Sequence, residues 1–228
     1  MKHNIPMNWF MEQSIEYAQQ KSYLDDLFKV YPTIPNGIRE IDKTVWGKIE
    51  NSYNTRNYEE LIRNLLEMDL QQLFDKCSQP KETNRQIGPM FKNWIRNTDF
   101  GIPLMDLDEF SNTSNDGILD GSDKEMQNFA KERLSYTHEK GLDFIARMNG
   151  KYIIGEAKFL SDFGGHQNAQ FNDAIAVVES NAKAEKIAIL DGVLYIKGNN
   201  KMYKNITEKY KDLNIMSALL LKNFLYYI

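Results

Sequence analysis

Apolar positions follow helical spacing through the first half of this chain and strand-like alternation between residues 141 and 159. Residues 8–29 carry Trp9, Phe10, Ile15, Tyr17, Ala18, Leu24, Leu27 and Phe28 in an imperfect stripe, which predicts one helix stopped by Pro32 and Pro35. Pro35-Asn36-Gly37 predicts a turn, and residues 38–49 and 58–77 predict two more helices, the second on Leu61, Leu65, Met68, Leu73 and Phe74. A shorter helix is expected over 86–96. Residues 97–123, rich in Asn, Asp, Ser and Gly and holding Pro103, predict a surface loop with little regular structure. Asp123 is then placed to cap a helix running through Met126, Phe129, Ala130 and Leu134.

Alternation takes over in Gly141 to Lys158, GLDFIARMNGKYIIGEAK. Asn149-Gly150 sits between two apolar runs and predicts a two-residue type I′ hairpin, because both central positions need positive φ. If Met148 pairs with Lys151 across the turn, counting back pair by pair sets Asp143 opposite Glu156. Directly opposed Cβ atoms are about 4.5 to 5.5 Å apart, so two like charges there need a compensator, and a divalent cation suits. Phe144, Ala146, Met148, Ile153, Gly155, Ala157 and Phe159 share one face, expected to belong to the core. Ile145, Arg147, Tyr152 and Ile154 share the other with Asp143, Glu156 and Lys158.

Gly164-Gly165 breaks the pattern, and residues 168–184 predict a helix on Phe171, Ala174, Ile175 and Val178, followed by a short apolar strand over 186–190. A strand, a crossover helix and a second strand in one sheet make a right-handed unit, so 187–190 should run parallel to 152–159. A strand over 192–197 and a helix over 206–227 are expected to complete the chain. Its amphipathic series Ile215, Leu219, Leu220, Phe224 and Leu225 is expected in the core. The fold class is therefore α/β (α+β): a mixed central sheet flanked by helices, with a helical N-terminal elaboration.

At 228 residues, 42% hydrophobic and 26% charged, the chain has the length and composition of one globular domain, 1–228. Within it, 1–97 is a helical part, 123–197 the core and 206–228 a terminal helix. The net charge of −4 offers no global attraction for nucleic acid, although local patches can oppose the total. One cysteine, Cys77, excludes an intrachain disulfide and a cysteine-cluster zinc site, and His3, His138 and His166 lack metal-ligand spacing. No apolar run resembles a secretory signal or approaches the roughly 18 residues of a membrane span, which makes a cytoplasmic location the default expectation.

Two carboxylates held together by a rigid hairpin suit Mg²⁺, a hard cation that prefers oxygen ligands and keeps waters for a substrate phosphate. The backbone carbonyl of Ala157, between the two side chains, is a candidate third ligand. Lys158 beside them supplies a positive charge able to orient or help deprotonate a water and to stabilise charge building on a phosphoryl group. Asp143 followed by Glu156-Ala157-Lys158 resembles the D…(D/E)xK motif of the type II restriction endonucleases, within the PD-(D/E)xK nuclease superfamily. Leu142 stands where that motif's name has proline, a position that varies within the superfamily. The element order from 123 to 190 resembles the family's common core, with one strand of the usual three not evident. The stretch GEAKFLSDFGGHQNAQFNDA is similar to the segment around and after the catalytic lysine in some of these enzymes.

The resemblance implies Asp143, Glu156 and Lys158 as catalytic residues and a Mg²⁺ held by Asp143, Glu156 and the Ala157 carbonyl. It further implies a homodimer acting on double-stranded DNA at a palindromic site and leaving 5′-phosphate ends. Residues 1–97 would serve DNA grip or dimerisation. Gln167, Asn168 and Gln170 carry amides of the kind that read adenine edges, with an N-cap role for Asn168 as the other reading. His166 is expected to be exposed, or else to touch the scissile phosphate. Lys81, Arg85, Lys92 and Arg96 form a basic series able to track phosphates or simply to be solvated. Glu132 and Glu139 are expected to be solvated helix acids rather than additions to the site. Alternatives are a repair or recombination nuclease of the same superfamily, a catalytically silent DNA-binding module, and an interaction scaffold built on the helical half.

Overall fold

The computed structural model describes residues 5–6, 8–20, 22–31, 80–161, 163–198 and 200–228. The expected turn at Pro35, the helices over 38–49 and 58–77, His3, Cys77 and the side chains of Lys81 and Arg85 lie outside the described residues. The single helix expected over 8–29 is instead two, α1 (Trp9–Tyr17) and α2 (Tyr23–Val30). Buried positions run Phe10, Met11, Ser14, Ile15 and Ala18, and the next is Tyr23. That step is too long for one helical stripe, and a break at Ala18 to Gln20 brings both segments back onto the core. Gln19 spans the break, donating to the carbonyls of Ile15 (3.1 Å) and Tyr195 (3.3 Å).

Helix α3 (Pro80–Asn97) is longer than expected and buries Ile87, Phe91 and Ile95 along one face. The stretch expected to be loop holds β1 (Leu104–Met105), α4 (Leu107–Asn112) and β2 (Gly117–Leu119). Strands of two and three residues are too short for alternation to reveal. Helix α4 is capped by Asp106, whose carboxylate accepts from the Glu109 amide at 2.8 Å. Helix α5 (Asp123–Leu134) is capped by Ser122, not Asp123: the Ser122 hydroxyl and the Glu125 carboxylate form a reciprocal capping box. Asp123 occupies the first helical position, where an acid suits the helix dipole.

Strands β3 (Phe144–Met148) and β4 (Lys151–Leu160) pair antiparallel with Met148 opposite Lys151 and Phe144 opposite Gly155, the register expected from the turn. Asn149 (φ 51°) and Gly150 (φ 75°) both take positive φ. Helix α6 (Gly165–Val178) begins earlier and ends earlier than expected, with Gly164 at its cap position. Asn168 is therefore not the cap; its amide donates back to the carbonyls of Phe163 and Gly164. Strand β5 (Glu185–Gly192) runs parallel to β4, as the crossover rule requires. The strand expected over 192–197 is replaced by a 3₁₀ turn at Val193–Tyr195, because Gly192 turns the chain with φ 102°.

The helix expected over 206–227 is likewise corrected. Helix α7 (Lys201–Lys204) passes into a π turn at Asn205–Lys209, β6 (Ile215–Met216) lies parallel to β5, and α8 (Leu221–Tyr227) comes last. The open edge of β5 recruits this segment: the Ala188 amide donates to the Asn214 carbonyl at 2.9 Å. Leu221, Phe224 and Leu225 of α8 are buried, as expected for core positions.

Among the described residues the strands form one mixed sheet in the order β1-β2-β3-β4-β5-β6. Strand β2, not evident in the sequence, lies antiparallel to β3. Both faces are covered. Phe144, Ala146, Ile153 and Phe159 join a core with α1, α2, α3, α6 and α8. Ile145 and Ile154 join a second with α4 and α5. The face carrying the charged residues is thus not simply polar. Arg147 on it is 3% exposed, donates to the carbonyls of Phe110 (2.9 Å) and Asn115 (2.7 Å), and lies 4.5 Å over the Phe110 ring.

Candidate functional site

The site is built where β3 begins and β4 continues past it. The last backbone rung between them is the Asp143 amide donating to the Gly155 carbonyl at 3.2 Å. One step further along β4, the Asp143 side chain replaces backbone: its Oδ2 accepts from the Ala157 amide at 3.0 Å. An extended residue points its N–H and C=O to the same edge, so the Ala157 carbonyl also looks toward Asp143. Lys158 Nζ closes the cluster, 2.5 Å from Glu156 Oε1 and 3.4 Å from Asp143 Oδ2. The three side chains singled out in the sequence therefore meet, with Lys158 bridging the two carboxylates.

Asp143 and Glu156 are only 8% and 7% exposed. Burial, then the neighbouring Asp143 charge, raises the Glu156 carboxyl from its ordinary value to about 7. For Lys158 burial acts downward, but Asp143 and Glu156 outweigh it and hold the ammonium above the ordinary lysine value. Lys158 is consequently a cation here. Glu156 Oε2 is buried and has no hydrogen-bond partner among the described residues. Two carboxylates, one of them with an oxygen that lacks a donor, and a carbonyl form a set of hard oxygens that fits a divalent cation. Among the described residues no group of three or more His, Cys, Asp or Glu side chains gathers around one point.

Three elements outside the hairpin frame this cluster. Gln127 of α5 is buried and donates to the carbonyls of His138 (3.1 Å) and Lys140 (2.9 Å), pinning the loop that delivers Asp143. Tyr136, in that loop, is buried, and desolvation together with the Glu156 charge pushes its hydroxyl up to about 12. Lys92 of α3 reaches into the crevice lined by Asp143, Gly121 and Met126, donating to the Gly121 carbonyl (2.9 Å) and Asp123 Oδ1 (2.5 Å). Gln127 and Tyr136 carry no local signal in the sequence, and Lys92 shows there only as one of a basic series.

The other candidates are more scattered. Arg96 makes a two-pronged contact with Asp120, and its side chain is half exposed. His166 is exposed at the first turn of α6 and lies 3.2 Å from the Gln170 amide. Gln167 turns inward, 3% exposed, and donates to Ser161 Oγ at 3.0 Å. Glu132 and Glu139 are exposed, and Glu139 pairs with Lys131 at 3.2 Å.

Set against models of known protein families, residues 8–75 and 67–228 match one for type II restriction enzymes. The chain belongs to the Tsp45I type II restriction enzyme family. Membership makes it a DNA endonuclease, a hydrolase whose partner is DNA. No curated protein matches in sequence, and no solved structure matches. No helix among the described residues is long and apolar enough to cross a membrane.

Proposed function

We propose that the chain is a Mg²⁺-dependent, site-specific endonuclease in which Asp143, Glu156 and Lys158 form the PD-(D/E)xK centre. The observation that carries this reading is the meeting of two buried carboxylates around one lysine, with Glu156 Oε2 left without a donor. Asp143, Glu156 and the Ala157 carbonyl would hold the cation, which when bound polarises the scissile phosphate and acidifies a water. The Ala157 amide fixes the Asp143 carboxylate in place. Lys158, kept protonated by its neighbours, orients the attacking water and stabilises charge building on the phosphoryl oxygens. In-line attack on phosphorus gives 5′-phosphate and 3′-hydroxyl ends.

Lys92 and Arg96 line one open groove beside this centre with Ser122, Asp123 and Lys124, and backbone phosphates would compete with Asp123 and Asp120 for them. His166, Asn168 and Gln170 at the start of α6 offer further polar contacts, whereas Gln167 would have to leave its buried place. Cutting both strands of a palindrome calls for two sites related by a two-fold axis, hence a homodimer. Family membership favours restriction over repair or recombination. Plasmid and phage DNA incubated with Mg²⁺ or Mn²⁺ should yield discrete bands, and sequenced ends should carry 5′-phosphate. Smearing or nicking would point to the repair reading, and inertness with both metals would sink a catalytic role.

A further inference from the structure

Gly88 lies on α3 directly over Asp143. A Cβ at this position would stand 3.5 Å from Asp143 Oδ1, the one described atom within 4 Å of it. The two carboxylate oxygens of Asp143 are not equivalent. Oδ2 is taken by the Ala157 amide and Lys158, whereas Oδ1 has no hydrogen-bond partner among the described residues. Lys92, one turn along the same face of α3, already reaches the crevice beside Asp143. Any side chain at 88 would therefore cover the oxygen that remains available. Pro89 follows in the same helix and crowds a Cβ on residue 88, so glycine suits the backbone here as well.

We propose that Gly88 is a positioning residue: its missing side chain leaves an opening in α3 through which a divalent cation and the phosphate beside it reach Asp143 Oδ1. The inference rests on the reading of Asp143 as a cation ligand, and the two can fail separately. Mn²⁺ alone is the probe, read as the concentration that half-saturates the rise in melting temperature of the full chain. Gly88→Ala should fold and melt somewhat lower than the parent without Mn²⁺, because Pro89 crowds its Cβ, and should need several-fold more Mn²⁺ to half-saturate its own rise in melting temperature. Gly88→Leu should need at least tenfold more, and Asp143→Asn should lose the response. In plasmid digestion, Gly88→Ala should regain most of the parent's rate at high Mn²⁺, whereas Asp143→Asn should not. An unchanged Mn²⁺ requirement in Gly88→Ala, with the response lost in Asp143→Asn, overturns the opening while leaving the ligand. A response that survives Asp143→Asn overturns the reading beneath it.

Discussion

Two carboxylates buried in this sheet, Glu156 on β4 and Asp191 on β5, are treated in opposite ways. Burial raises both: Asp191 from 3.8 to about 6 and Glu156 from 4.5 to about 7. Asp191 is fully enclosed and satisfied from within, accepting from Ser217 Oγ (2.5 Å), the Ala218 amide (3.2 Å) and the Tyr31 hydroxyl (3.2 Å). It ties α2 and the Ser217 turn to the sheet. Among the described residues Glu156 receives one ammonium and keeps an oxygen without a donor, beside a second carboxylate. Asp191 is complete, while Glu156 carries a deficit that a cation can fill.

The largest expected effect separates the two clusters by activity. Lys158→Ala or Asp143→Asn should leave a folded protein whose DNA cleavage falls by about two to three orders of magnitude or more, on the scale of losing a transition-state charge stabiliser. Full digestion of plasmid by either variant would remove the assignment. Asp191→Ala should do the reverse. It leaves the Ser217, Ala218 and Tyr31 donors unpaired and should cost about 3 kcal/mol in urea unfolding, with cleavage per folded molecule retained.

The pH dependence sharpens the contrast. Both acids have raised values in the folded state, so folding favours their protonated forms. The associated stability is complete below about pH 4 and is lost as pH rises through about 6 for Asp191 and about 7 for Glu156. Each contributes a slope worth about 3 kcal/mol at most. Urea unfolding across pH 4 to 8 should show this decline, and Mg²⁺ should relieve the Glu156 part alone. If Mg²⁺ leaves the curve untouched, Glu156 is not a ligand. The smallest effect belongs to the turn: Gly150→Ala, with φ 75° and nothing near its side, should cost about 1 kcal/mol of stability and keep cleavage.

Much of the centre was legible because it is local. Asn149-Gly150 requires positive φ at both positions, and that turn alone sets Phe144 opposite Gly155 and brings Asp143 beside Glu156 and Lys158. The parallel placement of β5 came from chain handedness. Elements of two or three residues were not legible: β1, β2 and β6 exist because a neighbouring strand edge accepts them, and no periodicity can show in so few positions. The long C-terminal stripe has helical spacing, yet the β5 edge claims Ile215 and Met216 as a strand.

Alternation and turn chemistry, which depend only on neighbours in the chain, therefore determined the hairpin register and the residues at its end. Tertiary structure decided what surrounds them: that Gly88 of α3 sits over Asp143 Oδ1, that Lys92 pairs with Asp123, and that Asp191 is sealed among hydroxyls. These are contacts between segments far apart in the chain. Whether a buried carboxylate is satisfied or left wanting is set by which donors the packing brings to it.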